Sequence, residues 1–394
     1  MAAARTFRLT SPMPEVCGRL CPQERLCEGS CVVGKRSRPV AIGRLETFAA
    51  DFELQNGGCQ GPQEASHSGG RIAVIGSGPA GLTVAEELAK RGHAVEVFDA
   101  WPSAGGLLTY GIPSFKLDKP RVRQHVSYLE RLGVRFGLGV QVEDRTIAEF
   151  LDSGFDAVFL GHGACLGRPP GILGEELSGV HPATAFLARL NLPPDLLPPL
   201  LRQPLRLGKR TVVIGGGDTA MDCARSAIRA GAEDVVCVYR RSEAEMPGRA
   251  EERRNADEEG VRFLFLVAPV AILPDPAGER VGGVRFQRVE LGPPDASGRA
   301  RPVAVPGSEF ELAADAVVVA ASYAVDPEPV AGLPGVRLTE RGTVETTDGG
   351  ATGRPDVFAA GDNVRGADLV VTAIVDAKRA AVHIDDYVRR ACRS

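Results

Sequence analysis

Short apolar runs, each closed by glycine and followed by helical periodicity, organise the chain between residues 71 and 240. Arg71-Ile72-Ala73-Val74-Ile75 is apolar on successive positions, as a strand buried on both faces of a parallel sheet is. A glycine turn follows, then a helix over Leu82 to Arg91, then a second strand at Ala94-Val95-Glu96-Val97-Phe98. This is a βαβ unit. A second copy reads Thr211-Val212-Val213-Ile214, a helix over Thr219 to Ala230, and a strand over Val235 to Tyr239. The Pro-rich stretch Asn191 to Pro204 is expected to be the crossing between domains. Residues 261 to 320 alternate in a strand-like way around loops at Pro274-Asp275-Pro276 and Pro293-Pro294-Asp295. They predict antiparallel strands appended to the second unit. From Asp356 the pattern gives a strand and an amphipathic helix through Tyr387. Residues 1 to 68 differ: they carry cysteines, then turn polar through Gln55-Asn56-Gly57-Gly58 and Ser66-His67-Ser68-Gly69-Gly70, which reads as a linker.

At roughly 150 residues per domain, 394 residues predict two or three domains. Hydrophobic residues at 44% and charged residues at 24% are ordinary for a globular protein and exclude disorder, collagen and coiled coil. Lys plus Arg is 46 and Asp plus Glu 50, a net −4 that gives no electrostatic footprint for nucleic acid or an anionic membrane. No run reaches the ~18 apolar residues of a membrane span, and Met1 to Pro14 lacks a secretory pattern. Nine cysteines, four of them within residues 17–31, fit a metal site in a reducing cytoplasm better than a disulfide framework.

Gly76-Ser77-Gly78-Pro79-Ala80-Gly81 is a complete G-x-G-x-x-G between strand and helix. The glycines make the tight turn, admit a pyrophosphate and bring helix and strand together. Asp99 ends the next strand, where an acid holds ribose hydroxyls. Gly215-Gly216-Gly217-Asp218-Thr219-Ala220 is the second fingerprint. The strand after it ends in Arg240 and Arg241, and a guanidinium pair suits a 2′-phosphate, so NADP(H) is favoured over NAD(H). Glu243 and Glu245 follow closely and compete for those arginines. Two different nucleotide sites in one chain point to a flavin beside a nicotinamide.

Further motifs accompany the fingerprints: Ala104-Gly105-Gly106-Leu107-Leu108-Thr109-Tyr110-Gly111-Ile112-Pro113, Tyr239-Arg240-Arg241, Met246-Pro247-Gly248 and Val357-Phe358-Ala359-Ala360-Gly361-Asp362. With Cys17-Gly18-Arg19-Leu20-Cys21-Pro22 and Leu26-Cys27-Glu28-Gly29-Ser30-Cys31, they make the chain resemble the small subunit of glutamate synthase. It is also similar to the N-terminal half of dihydropyrimidine dehydrogenase and the larger subunit of NADH-dependent ferredoxin:NADP oxidoreductase. The resemblance implies an α/β protein with two dinucleotide-binding, Rossmann-like domains, the NAD(P) domain inserted in the FAD domain, behind an N-terminal helical iron–sulfur arm. The expected boundaries are 1–68 for arm and linker, 69–200 and 326–394 for the FAD domain, and 201–325 for the NAD(P) domain. Gly76, Gly78, Pro79, Ala80, Gly81 and Asp99 are expected to hold the ADP half of FAD. Gly106, Leu107, Tyr110, Gly111 and Ile112 would lie along the isoalloxazine, with Lys116 as a candidate tuning residue. Gly361 and Asp362 would meet the ribityl chain. Val371, Thr372 and Ala373 would open a helix aimed at flavin N1–C2=O, where reduced flavin is anionic. Gly215, Gly217, Asp218, Thr219, Ala220, Arg240 and Arg241 would hold the nicotinamide nucleotide. The run Val317 to Tyr323 lacks the glycine such folds often carry after the returning strand and is assigned no ligand.

The spacing Cys17-x3-Cys21-x5-Cys27-x3-Cys31 lacks the C-x2-C pairs of zinc sites and suits an iron–sulfur cluster. In the family, positions matching Cys21 and Cys27, with an acid or amide matching Glu46, serve one [4Fe–4S] cluster. Cys31 matches a ligand of another cluster, and Cys17 matches a non-ligand. The sequence begins at Met1 without an upstream cysteine group. Three expectations therefore stand: Cys17 is recruited, a partner supplies ligands, or the segment is metal-free. At least one cluster, at a partner interface, is favoured. Cys59, Cys165, Cys223, Cys237 and Cys392 are isolated, and the histidines, His67, His93, His125, His162, His181 and His383, are read as structural. No cysteine pair beside the FAD motifs supports a disulfide-reductase mechanism.

The expected protein exchanges a hydride between NAD(P)(H) and FAD and passes electrons singly to a redox partner subunit that carries the terminal catalytic site and further clusters. No nucleic acid and no membrane enter. The partner is that of glutamate synthase or of a molybdenum, tungsten or ferredoxin-linked enzyme. A flavin-bound assembly scaffold is the remaining, non-catalytic alternative, and the intact second fingerprint argues against it.

Overall fold

A computed structural model describes residues 1–59, 69–142, 147–294 and 298–391. His67, Asp295, Cys392 and the expected linker over 60–68 lie outside these residues. The chain opens with α1 (Ala2–Arg8), α2 (Pro14–Leu20) and α3 (Ile42–Gln55). It continues through β1 (Arg71–Ile75), α4 (Pro79–Lys90), β2 (Ala94–Asp99), α5 (Leu107–Tyr110), α6 (Lys119–Arg131), β3 (Arg135–Leu138), α7 (Ile147–Asp152) and β4 (Ala157–Leu160). After β5 (Leu166–Gly167) come β6 (Val180–Pro182), α8 (Ala183–Asn191), β7 (Arg210–Ile214), α9 (Asp218–Arg229), β8 (Asp234–Tyr239), α10 (Ala250–Glu258) and β9 (Arg262–Phe265). Then follow β10 (Val267–Pro274), β11 (Val281–Pro294), β12 (Ala300–Ala304), β13 (Phe310–Ala313) and β14 (Ala316–Val319). The chain returns through β15 (Tyr323–Ala324) to β16 (Val357–Ala359), α11 (Asp362–Arg365) and α12 (Val370–Ala391).

These elements form two compact units, Met1–Leu166 with Ala324–Ser394, and Gly167–Tyr323. The second unit is thus inserted into the first. The first unit holds a parallel sheet in the order β16-β4-β1-β2-β3. Residues along β1 alternate between its faces: Ile72 and Val74 join the core under α4 and α12, Ala73 and Ile75 the opposite core with Phe150 and Val357. Covering both faces is what lets these runs be continuously apolar. The arm belongs to this unit, because Met13, Val16, Cys17 and Cys21 pack into the same core as Leu82, Leu88 and Ile384.

The second unit holds a parallel sheet in the order β6-β14-β7-β8-β9, with an antiparallel sheet of β10 to β13 centred on β11. Three expectations change here. The boundary at 200/201 falls inside this unit, because β6 pairs with β14 and α8 packs its Phe186 and Leu187 into the unit's core. Residues 191–204 are therefore no crossing; two short 3-10 turns, Pro194–Leu196 and Pro199–Leu201, lie along the unit and Leu197 is buried. Residues 262–265 form a parallel strand beside β8, and only the strands after them are antiparallel.

Helix α9 is tied to α10 by a buried cation. Arg225 donates to Glu252 at 2.7 Å and to Glu259 at 2.8 Å and 3.0 Å, and Arg229 also binds Glu259. Burial alone would raise the Glu259 carboxyl; Arg229 and Arg225 instead hold it down at about 2. Arg225→Met takes the buried guanidinium from Glu252 and Glu259, leaves Glu259 to Arg229, and is expected to cost about 3 kcal/mol in urea unfolding of this unit. The folded carboxyl lies below its unfolded value of about 4.3. Its stabilisation is thus complete above that pH and is lost as pH falls toward 2. In the variant the stability of this unit should fall less over that window.

Candidate nucleotide and iron–sulfur sites

The carboxyl end of each parallel sheet gathers the candidate residues, where open α/β sheets bind ligands. In the first unit β1 runs into Gly76, whose φ is +95°; a Cβ there would stand 2.5 Å from the Gly161 carbonyl oxygen. A Cβ on Gly81 would stand 1.9 Å from the Gly76 oxygen. Gly78 differs: a Cβ would meet nothing within 4 Å. Gly78 is also the N-cap of α4, Pro79 occupies its first turn, and no side chain caps the helix. An open approach thus leads to uncapped amides, the requirement for a bound phosphate. Gly105 and Gly106 back onto this loop, Gly105 N donating to Ser77 Oγ at 3.0 Å, and a Cβ on Gly106 would lie 2.8 Å from Gly78 Cα.

Asp99 accepts from Ser77 N (2.8 Å) and Ser77 Oγ (2.6 Å) on one oxygen and from Trp101 N (2.9 Å) on the other. Burial pushes its carboxyl up while these bonds oppose the push. It therefore ties the fingerprint loop to the 101–106 loop as well as standing where a ribose acid belongs. The Tyr110 side chain is buried, packs edge-on against Trp101 at 4.1 Å and accepts from Ser103 N at 2.7 Å. Leu107 opens α5 and Gly111 and Ile112 follow it, and the Leu108 and Ile112 carbonyls both accept from the buried Lys119 ammonium. Lys116, the expected tuning residue, is half-buried; Lys119 is the lysine built into the loop, and a lysine at a helix start carries no sequence signal for burial.

Gly361 (φ +85°) follows β16, and a Cβ there would stand 2.9 Å from the Ala80 Cβ and 3.6 Å from that of Ala373. This brings Ala80, Gly361 and the start of α12, with Val371, Thr372 and Ala373, to one place. Burial pushes the Asp362 carboxyl up to about 7, the Asp368 amide opposing and the Asp368 charge adding. Sequence reasoning missed its neighbours. Asn363 is fully buried, with Nδ2 donating to Leu160 O at 2.9 Å, while its Oδ1 lacks a partner. Neither ring nitrogen of His162 is hydrogen-bonded, and burial holds the imidazole down at about 4 against the charge of Asp326. Burial, then the charges of Asp362, Asp99 and Asp326, push the Cys165 thiol up to about 12. Orphaned polar atoms at the ends of β4 and β16, beside an open phosphate turn, fit an extended polar cofactor.

The second unit repeats the construction. Gly215 comes close to the Ala320 oxygen, while a Cβ on Gly217, the uncapped N-cap of α9, would meet nothing within 4 Å. Ala220 is buried under the turn. Asp218 does not face the opening; its Oδ1 accepts from Arg249 N at 2.8 Å, and Gly248 N donates to Gly216 O, so 246–249 braces the loop. Thr219 follows in the first turn of α9. The expected arginine pair is split. Arg241 is buried with Nε on the Ala300 carbonyl at 2.7 Å, whereas Arg240 is exposed and has no ion-pair partner among the described residues. The competing glutamates are engaged elsewhere, Glu243 with Arg253 and Glu245 with Ser242.

In the arm, Cys17 and Cys21 are buried, Cys31 is half-buried and Cys27 exposed. The contact with Cys21 and burial raise the Cys17 thiol, while backbone amides of Val40 and Val33 lower that of Cys31. Burial pushes Glu46 up to about 7, with Glu15 adding. Among the described residues no three His, Cys, Asp or Glu donors converge on one ion. Amide donors at a thiolate and an uncompensated carboxylate are instead the surroundings that suit an iron–sulfur cluster, whose ligands stand around a cage. No helix among the described residues is long and apolar enough to cross a membrane.

Two family models match the chain. The pyridine nucleotide-disulphide oxidoreductase family matches residues 70–377, and dihydropyrimidine dehydrogenase domain II, 4Fe-4S cluster, matches residues 1–58. The Halomonas elongata glutamate synthase [NADPH] small chain is 43% identical over 394 residues, 98% of this chain and 83% of that protein. The subunit beta of the Moorella thermoacetica NADP(+)-dependent formate dehydrogenase is 39% identical over 412 residues, 98% of this chain and 56% of that protein. Among solved structures, Mycobacterium tuberculosis FprA in complex with NADPH is similar in fold, with TM-score 0.69 and 24% identity over 82% of this chain and 86% of that one.

Gly81→Ala forces a methyl against the Gly76 carbonyl and is expected to destabilise the first unit by about 1–3 kcal/mol. Gly78→Ala should leave the unfolding midpoint of the nucleotide-free protein in place. It should instead lower the flavin nucleotide retained through gel filtration, measured by absorbance after heat release.

Proposed function

The chain belongs to the pyridine nucleotide-disulphide oxidoreductase family, and from that footing we propose that it is the FAD-dependent, NADPH-oxidising subunit of a multisubunit redox enzyme. One observation carries the reading: two sheets present the same open glycine before an uncapped helix, at Gly78 and Gly217, but with opposite charge at the end of the next strand. Asp99 suits a ribose without a 2′-phosphate and Arg240 a ribose that bears one. When bound, FAD takes up the hydride of the nicotinamide, and a [4Fe–4S] cluster passes its electrons on singly.

The protein's own part is to bind and orient. Gly76 to Gly81 and Asp99 hold the adenine half of FAD. The backbone from Gly106 to Ile112, fixed by Lys119 and Tyr110, lies along the ring. Gly361, Asp362 and the amides of Val371 and Thr372 hold the ribityl and the pyrimidine edge, where a helix N-terminus stabilises negative charge, while Ala373 packs beside Gly361 and its amide is bonded to the Leu369 carbonyl. Gly215, Gly217, Thr219 and Ala220 hold the NADPH pyrophosphate, with Asp218 and Arg241 as braces of their loops. Cys17, Cys21, Cys27, Cys31 and Glu46 supply the cluster's donors, and a partner subunit receives the electrons. The described cysteines are thiols, which suits a reducing cytoplasm.

Anaerobic NADPH is expected to bleach the flavin band of the purified protein; no bleaching with NADPH or NADH would remove the enzymatic reading. Arg240→Gln removes one charge-assisted contact of about 1.5–3 kcal/mol. The KM for NADPH should therefore rise about tenfold or more with that for NADH little changed.

A further inference from the structure

The arm's outer surface combines apolar and cationic groups that the arm itself does not use. Helix α3 buries Gly43, Ala49, Ala50 and Glu53 and turns Leu45, Phe48 and Phe52 outward, Phe48 at 70% exposure. The spacing puts the three on one stripe, and the Phe48 and Phe52 rings stack at 6.5 Å. Residues 32–40 are exposed throughout, with Val32 at 74%. The helix is tied to the outer cysteine segment, since Gly43 N donates to Glu28 Oε1 at 3.2 Å, and the loop turns directly off that segment, with Gly34 N donating to the Cys31 carbonyl at 2.9 Å.

Arg25, Lys35, Arg36, Arg38 and Arg44 are exposed here, and none has an ion-pair partner among the described residues. Against them residues 25–52 hold Glu28, Glu46 and Asp51, so 5 − 3 gives +2 in a chain of net −4. An apolar aromatic centre inside a charged rim is the build of a protein interface. A second copy about a two-fold axis would lay this cationic face on itself, which the charge opposes.

We propose that this face, Arg25 to Phe52, docks an acidic one-electron carrier protein or subunit, with its carboxylates around an apolar centre, over Cys27 and Cys31. The proposal rests on the electron-delivering reading above. The balance is NADPH plus two oxidised carriers giving NADP⁺, one proton and two reduced carriers.

The test uses the full-length, cofactor-loaded protein under anaerobic conditions, with NADPH as donor. An acidic [2Fe–2S] ferredoxin is the protein acceptor and menadione, small and neutral, the control acceptor. The R36E/R38E/R44E and L45S/F48S variants are expected to lose about tenfold or more in kcat/KM for ferredoxin. Their menadione rates should stay within about twofold of wild type, and the steep salt dependence of the ferredoxin rate should flatten in the charge variant. Ferredoxin kinetics unchanged in both variants would overturn the proposal, as would wild-type protein that reduces menadione but never ferredoxin. A wild-type dimer in sedimentation that L45S/F48S dissociates, with ferredoxin turnover intact, would reassign the face to self-association. Wild-type protein that oxidises no NADPH with either acceptor would instead fail the reading beneath it.

Discussion

Met13, Val16, Cys17 and Cys21 lie in the same apolar core as α4 and α12, and the rest of the electron-transfer account depends on that packing. The arm is fastened by charge as well. Arg8 binds Glu53 at 2.6 Å and Glu15 at 3.2 Å, all three largely out of solvent. Breaking a buried pair costs far more than forming it gains, so these contacts hold the arm's three helices together, while Arg121 of α6 binds Asp51 of α3 and Lys378 of α12 donates to the Thr10 carbonyl at 3.0 Å. Two of its four clustered thiols thereby face the flavin-type core, while the other two face outward.

The two units share one construction. Each places an open glycine and an uncapped helix at the carboxyl end of its first strand. In the proposed function, discrimination rests on the residue at the end of the second strand, Asp99 or Arg240. The loops behind them are braced rather than left to the ligand: Asp99 grips Ser77 and Trp101, Asp218 grips Arg249, and Lys119 grips the carbonyls of the 107–112 loop. Such bracing lowers what ordering costs on binding.

Both βαβ units were legible in the sequence, because a buried parallel strand, a glycine turn and a helix each leave a local periodic mark. What depended on neighbours distant in sequence was not. Val180–Pro182 is too short to read as a strand, yet its pairing with β14 moves the unit boundary to Gly167. The Arg240-Arg241 pair looked equivalent until the Ala300 carbonyl claimed Arg241. His162 and Asn363 carry no motif, and only polar atoms left unpartnered at buried positions, the His162 ring nitrogens and Asn363 Oδ1, mark them. The net charge concealed the unpaired cations of the arm, since a sum over the chain says nothing of where charges lie.

The claim that the arm is wired into the flavin unit is tested most directly by rapid-freeze EPR after mixing the anaerobic protein with NADPH. The account predicts an iron–sulfur signal that follows flavin bleaching at a first-order rate independent of protein concentration. A bleached flavin with no iron–sulfur signal, or a rate that scales with protein concentration, would contradict it.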